Sequence, residues 1–275
     1  MGESSVRRDA GAPGGPAAAG LWATLTDLVL PSACAGCGAT GRALRRAVCA
    51  DCAAALRALT PFATGPDPAP PGFPPCAALG PYAGVLRAAL LDYKERGRRA
   101  LARPLGLLLG DVIAAAAPAP AVVLVPVPST PRAVRERQGD HLAALAGWAA
   151  TRLRDAGVRT TLARPLAARS AADSTRLSAA GRMAEATAKF RLRARAADRL
   201  RDTPGTTILV DDIVTTGATL AVIAERLRAA GVAVTGAAVL AATLRRTPLS
   251  PERAGCANLL DTVLGTERDA GRNTG

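Results

Sequence analysis

Apolar positions along the chain change spacing several times, and each change marks an element. Residues 1–20 carry Gly, Pro, Ala and Ser with no apolar period, which predicts a disordered tail. Leu21, Leu25, Leu28 and Val29 then recur at helical spacing, so a short amphipathic helix is expected, stopped before Pro31. The stretch 61–81 is rich in proline and reads as a connector at a domain boundary. From Tyr82 to Ala117 the pattern predicts two helices with Gly97 between them. Leu86, Leu90 and Tyr93 share one face of the first; Arg87, Lys94 and Arg98 fall elsewhere and read as a solvated face. Ala121–Pro128, AVVLVPVP, is a buried strand with its prolines at the end. Ser129–Asp140 reads as a polar loop, followed by a helix over about His141–Asp155 and a strand near Thr160–Ala163. Residues 164–205 form a long, polar, Arg-rich connection with a helix expected around Ser178–Ala188. Ile208, Leu209 and Val210 form a strand, and Leu220, Ile223, Leu227 and Ala230 line one face of a helix that Gly231 ends. Val232–Thr243 is a last strand, and 247–275 is a polar tail.

Strands alternating with helices predict an α/β domain with a mostly parallel sheet and flanking helices. The expected organisation is a tail over 1–20, a four-cysteine element over 21–60, the connector over 61–81, the α/β domain over 82–246 and the tail over 247–275.

Chemistry concentrates at the turn after Val210. Asp211 and Asp212 follow the strand, then Thr215, Thr216, Gly217, Ala218 and Thr219 lead into the helix. In open α/β sheets ligands bind outside the carboxyl ends of strands. The first amides of a helix lack internal partners and carry positive potential, so this turn suits a phosphate. Gly217 lets the backbone come close, and three threonine hydroxyls add donors. Two carboxylates beside a phosphate repel it unless they serve another group, such as sugar hydroxyls or Mg²⁺ on a pyrophosphate. Phosphoribosyl pyrophosphate has all three parts. A Walker A sequence is absent, as is a G-x-G-x-x-G after a strand, so two other nucleotide readings lack support.

Near the N-terminus, Cys34-Ala-Gly-Cys37 and Cys49-Ala-Asp-Cys52 lie eleven residues apart. Two such knuckles can converge on one tetrahedral Zn²⁺, which makes the element structural and leaves no open coordination position. An Fe–S cluster or a redox pair are the alternatives. Cys76 and Cys256 have no neighbour at ligand spacing.

Net charge alters the picture locally. The chain of 275 residues has a formal charge of +13, and all but Lys94 and Lys189 of its 35 basic residues are arginines. Such a bias fits coding composition as well as selection. Between 132 and 201, however, 16 basic and 6 acidic residues concentrate positive charge near the proposed site. Arg132, Arg135 and Arg137 sit close together after the AVVLVPVP strand; they either grip a pyrophosphate or form a solvated turn. His141 is the only histidine and reads as a helix-start residue, not a base. The longest apolar run near the N-terminus, Leu21–Leu30, is too short to span a membrane, and a cytoplasmic location is expected.

ILVDDIVTTGAT resembles the phosphoribosyl pyrophosphate motif of type I phosphoribosyltransferases. The resemblance implies that Asp211 and Asp212 meet the ribose and that Thr215–Thr219 hold the 5′-phosphate, with Mg²⁺ accompanying the substrate. The order of features further resembles the competence protein ComF family. That likeness rests on the four cysteines, Tyr82-Ala-Gly-Val-Leu-Arg87 with Lys94, Val125-Pro-Val-Pro128 with the arginine loop, Leu177, Arg182 and Phe190, and finally the ILVDDIVTTGATL stretch. It implies a type I phosphoribosyltransferase fold with a small N-terminal zinc element, a link to DNA uptake, and single-stranded DNA or DNA-uptake proteins as partners. The family's R-G-F-N-Q-like segment stands here as Arg137-Gln138-Gly139-Asp140-His141, with the glycine displaced. Whether the site transfers the pentosyl group or only binds the ligand stays open, because no aromatic-rich base pocket is evident in the sequence.

Overall fold

The computed structural model describes residues 33–168 and 189–243. The expected N-terminal helix, the helix around Ser178–Ala188, Leu177, Arg182, Cys256 and both tails lie outside them. Among these residues eight strands and seven α-helices follow in chain order. They are α1 (Ala50–Arg57), β1 (Phe62–Thr64), β2 (Cys76–Pro81), α2 (Gly84–Glu95), α3 (Ala102–Ala116), β3 (Ala121–Pro126), α4 (Pro131–Glu136), α5 (His141–Asp155), β4 (Arg159–Leu162), β5 (Leu166–Ala168), β6 (Phe190–Leu192), α6 (Ala194–Arg201), β7 (Thr206–Val214), α7 (Ala218–Ala229) and β8 (Gly236–Ala242). A 3₁₀ turn, Arg99–Leu101, leads into α3.

The fold is α/β, as the alternating pattern predicts. Six strands form the main sheet in the order β1-β2-β8-β7-β3-β4. All neighbours run parallel except β1 and β2. Parallel strands need both faces covered, and the pleat sorts the side chains accordingly. Val122, Leu124, Ile208, Val210 and Leu240 face a core shared with α2, α3, α5 and the cysteine element. Val123, Val125, Leu209 and Val239 face a second core with Leu200 of α6 and Leu220, Ile223 and Leu227 of α7. β5 and β6 pair separately, antiparallel.

On the first face α3 lies so close to α5 that only glycine fits at two crossing points. A Cβ on Gly106 would stand 2.5 Å from the Trp148 Cβ, and one on Gly110 would stand 2.7 Å from the Arg152 Cβ.

Three expectations are revised. The Pro-rich stretch holds β1 and β2, and β2 pairs with β8 inside the main sheet. The polar loop after β3 contains α4, begun by Thr130, whose Oγ1 accepts from the Ala133 amide at 3.2 Å, with Pro131 next. The acidic pair does not end its strand: β7 runs to Val214. Pairing with β3 stops at Val210, while pairing with β8 continues to Val214, so one side of β7 opens at Asp211.

That opening lies where the sheet changes direction. From β3 the chain crosses through α5 to the edge strand β4; from β7 it crosses through α7, on the other face, to β8. The crevice between β3 and β7 is therefore the topological switch point, where α/β sheets bind ligands.

Candidate phosphate-ribose site and four-cysteine centre

The switch-point crevice is a pocket of about 530 Å³. Val127, Pro128, Ser129 and Thr130, after β3, form one wall, and Asp211, Asp212, Ile213, Thr215 and Thr219 form the other. Lys94, Arg137 and Lys189 also line it. Asp211, Asp212, Thr215 and Thr219 thus line one pocket, and Thr216, Gly217 and Ala218 are not among its lining residues; Thr215 and Thr216 are both exposed in the turn.

Gly217 is the N-cap of α7 and takes φ 70°, a left-handed conformation that favours glycine. A Cβ there would also stand 2.6 Å from the Phe73 ring. Gly217 has no side chain to cap this helix, and among the described residues no hydrogen bond is made by its first amides. At the other end Gly231, at φ 76°, closes a Schellman motif: its amide donates to the Arg228 carbonyl at 2.9 Å and the Val232 amide to the Leu227 carbonyl at 2.9 Å.

The two carboxylates are not alike. Asp211 is half-buried and accepts from the Asp212 amide at 2.9 Å. Burial and then the charge of Asp212 raise Asp211 to about 7, with Lys94 acting in the opposite sense. Asp212 is engaged by Lys94, whose Nζ lies 2.8 Å from Oδ2. Lys94 is the residue that sequence reasoning assigned to a solvated helix face. It sits at the border of that face, next to buried Tyr93, and α2 carries it across the crevice mouth.

The three loop arginines separate. Arg137, at the C-cap of α4, lines the crevice. Arg135 lines a second pocket of about 390 Å³. Arg132 points to solvent in an ion pair with Glu136 at 2.7 Å. Helix geometry is the cause, because successive residues of α4 point about 100° apart. The turn after α4 is another Schellman motif. The Gln138 amide donates to Arg135 at 3.1 Å and the Gly139 amide to Val134 at 2.8 Å. Gln138, not the displaced Gly139, takes the left-handed conformation, at φ 53°.

His141 stacks edge-on against Tyr93, with ring centroids 4.9 Å apart. Burial, then the charges of Arg137 and Arg99, lower its pKa, and its Nδ1 is buried without a hydrogen-bond partner. It is the first residue of α5, as its reading as a helix-start residue expects, and it is not among the residues that line the crevice.

Cys34, Cys37, Cys49 and Cys52 converge with all four Sγ atoms within 4.8 Å of one another, and Cys37 and Cys49 are 3.9 Å apart. A tetrahedral zinc with bonds of about 2.3 Å needs sulfurs roughly 3.8 Å apart, so the cluster fits the ion. Amide N–H groups of Gly36 and Cys49 point at the Cys34 sulfur, at 3.4 and 3.2 Å. Burial pushes Cys34 up, but backbone hydrogen bonds at Cys37, Cys49 and Gly36 outweigh it and bring it down to about 6. Gly38, at φ 76°, makes the knuckle turn; Gly36 serves space instead, since its Cβ would stand 2.7 Å from the Cys52 sulfur.

The phosphoribosyl transferase domain family matches residues 147–265 of the chain. No curated protein matches it. Together with the parallel sheet and its helices, the match shows a phosphoribosyltransferase-type α/β fold, preceded by a four-cysteine cluster compatible with zinc. The match starts within α5, whereas the sheet takes in β2 and β3 as well. Among the described residues no helix is long and apolar enough to cross a membrane.

Proposed function

We propose that the chain binds phosphoribosyl pyrophosphate in the crevice between β3 and β7 and supports pentosyl transfer from it. The observation that carries this reading is the meeting of an acidic pair, an uncapped helix start and three cations, Lys94, Arg137 and Lys189, around one pocket. The ribose diol donates to Asp211 and Asp212. The 5′-phosphate takes the α7 amides with the hydroxyls in Thr215–Thr219. The pyrophosphate end meets Arg137 and Lys94. The acidic pair fits Mg²⁺ carried by the pyrophosphate, which stabilises the leaving group when bound.

In transfer, the C1–O bond to pyrophosphate breaks with its electron pair on the leaving oxygen. A nucleophilic atom of the acceptor bonds to C1 and releases its proton. Asp211 and Asp212 hold the ribose while positive charge develops at C1. Calorimetric titration of the full chain with phosphoribosyl pyrophosphate and Mg²⁺ tests the reading. Saturable binding that weakens about a hundredfold in Asp211→Asn/Asp212→Asn is expected; unchanged binding in that variant overturns it.

The same reading covers the finer points. The four cysteines hold a structural Zn²⁺, and the element over 21–60 is a unit appended to the domain over 82–246, with β2 built into the latter's sheet. A place in DNA uptake or DNA handling, in the cytoplasm, is proposed from the ComF resemblance. A basic groove over the cysteine element, lined by Arg45, Arg46, Arg57 and Arg103, supports a polyanionic partner. Single-stranded DNA binding that weakens steeply with salt is the expected result, and salt-independent binding would count against it.

A further inference from the structure

The crevice has a neighbour. A second pocket of about 390 Å³ shares Val127, Pro128 and Ser129 with it, so the two lie side by side along the loop that follows β3. Its size is near the lower end for small-molecule sites, roughly 300–1,000 Å³. Its walls are apolar: Pro126, Val134, Leu166 and Ala168 among them. Its charged groups are Arg135, Arg164 and Arg193, against a single carboxylate, Asp140.

That carboxylate is largely occupied. Asp140 is the N-cap of α5, where its Oδ1 accepts from the Ala143 amide at 3.1 Å and from the Ser129 hydroxyl at 3.4 Å. Its other oxygen stands 3.8 Å from Arg164, a long ion pair. Among the described residues no carboxylate lies within ion-pair distance of Arg135 or Arg193. Among the described residues the pocket therefore carries three arginines against one carboxylate, over an apolar floor. Guanidinium groups match carboxylate and phosphate oxygens in a two-pronged geometry, and a concave apolar wall strengthens that attraction.

We propose that this second pocket is the acceptor subsite, and that the acceptor is a small molecule with an apolar body carrying a carboxylate or phosphate. The proposal rests on the phosphoribosyl pyrophosphate reading of the first pocket. No aromatic side chain is among the described residues that line this second pocket, so charge recognition takes the place of stacking there. The acceptor supplies the nucleophilic atom that bonds to C1, its proton passes to solvent, and pyrophosphate leaves with the electron pair of the C1–O bond. The anionic group of the acceptor stays on the arginines throughout and takes no part in bond exchange.

The test uses the full chain and four probes: phenyl phosphate, benzene-1,3-dicarboxylate, phenol and benzamide, each titrated with and without phosphoribosyl pyrophosphate and Mg²⁺. The anionic probes are expected to bind at least tenfold more tightly than the neutral ones, and the stronger of the two anions identifies the group recognised. Arg164→Gln/Arg193→Gln is expected to weaken anion binding about tenfold and to leave phosphoribosyl pyrophosphate affinity within twofold. Arg195→Gln/Arg199→Gln, on exposed α6 positions lining neither pocket, removes the same charge and is expected to change nothing. Equal binding of neutral and anionic probes overturns the proposal. So does undiminished anion binding in Arg164→Gln/Arg193→Gln, or an equal loss in the α6 variant. If the anions bind through Arg164 and Arg193 but phosphoribosyl pyrophosphate never binds, the first-pocket reading and the acceptor role fall together, and only the anion site stands.

Discussion

The four-cysteine cluster and the β7–α7 turn both gather polar groups at a chain reversal, but they do so in opposite ways. In the cluster the groups converge on each other. Four sulfurs lie within 4.8 Å, and Gly36 is wedged against Cys52 and Val85. The set fits a single ion such as Zn²⁺, and the surrounding Leu56, Leu86 and Leu90 belong to the same core as one face of the sheet. At the turn the groups converge on open space. The α7 amides have no cap, Asp211 is held against the charge of Asp212, and one lysine balances the pair. The first arrangement offers a site inside the fold, and the second offers one outside it. Stability should therefore depend on the cluster and binding on the turn, and variants should separate the two.

The largest effect is expected at the cluster. Cys34→Ser/Cys52→Ser should abolish zinc content and cost about 4 kcal/mol or more, read from metal analysis and thermal melting of the same sample. A chelator should lower the melting temperature of the wild-type chain and not that of the variant. Asp211→Asn/Asp212→Asn should do the reverse. Phosphoribosyl pyrophosphate affinity should fall about a hundredfold, roughly 3 kcal/mol, while the ligand-free chain keeps or gains stability. A variant that lost both would erase the contrast.

Next comes Gly106→Ala, where a Cβ would strike Trp148 and the Leu145 carbonyl. It should cost roughly 1–3 kcal/mol in denaturant unfolding and leave ligand affinity unchanged. pH sharpens the comparison further. Asp211 is raised from 3.8 to about 7, so its protonated form supports the ligand-free fold fully below about pH 4. That support is lost as pH rises through 7. The ligand-free chain should lose stability across this window, and Asp211→Asn should flatten the slope. Binding of the ribose to the ionised pair should release a proton near pH 6.5, detected as a buffer-dependent heat. The smallest effect is at Gln138, which occupies a left-handed position at φ 53°. Gln138→Gly should stabilise the chain by about 1 kcal/mol. No change would mean that the Arg99 bond to the Gln138 carbonyl already fixes the turn.

The β7–α7 turn was legible in the sequence because its parts are consecutive. Strand, acidic pair, Thr/Gly loop and Gly231 cap fall within one short stretch. The cysteines were legible because their spacing carries the geometry. Lys94 is legible only through the ComF resemblance and not from its spacing, because its partner Asp212 lies far along the chain and only the sheet order brings α2 over the crevice. α4 was missed because it buries none of its residues, so it leaves no apolar period; Thr130 followed by Pro131 was its one signal. β2 was missed because Cys76-Ala-Ala-Leu-Gly has little intrinsic strand preference, and pairing with β8 makes it a strand. The second pocket was illegible for a similar reason. Arg135, Arg164 and Arg193 come from three separate segments.

Between the cysteine element and β2 the chain lies along α7. The Phe73 ring is pressed against Gly217, Gly72 is pressed against Glu225, and Arg228 donates to the Gly72 carbonyl at 2.8 Å. Pro-rich connectors usually tolerate changes of length. This one is measured at both ends, by the cysteine knuckles before it and by the β2–β8 register after it. Adding or removing one residue between 65 and 75 would either lift Phe73 off the phosphate turn or slide β2 by one pleat and turn its side chains to the wrong core. The segment should therefore admit substitutions freely and insertions hardly at all, so that its length, more than its composition, is what the molecule inherits.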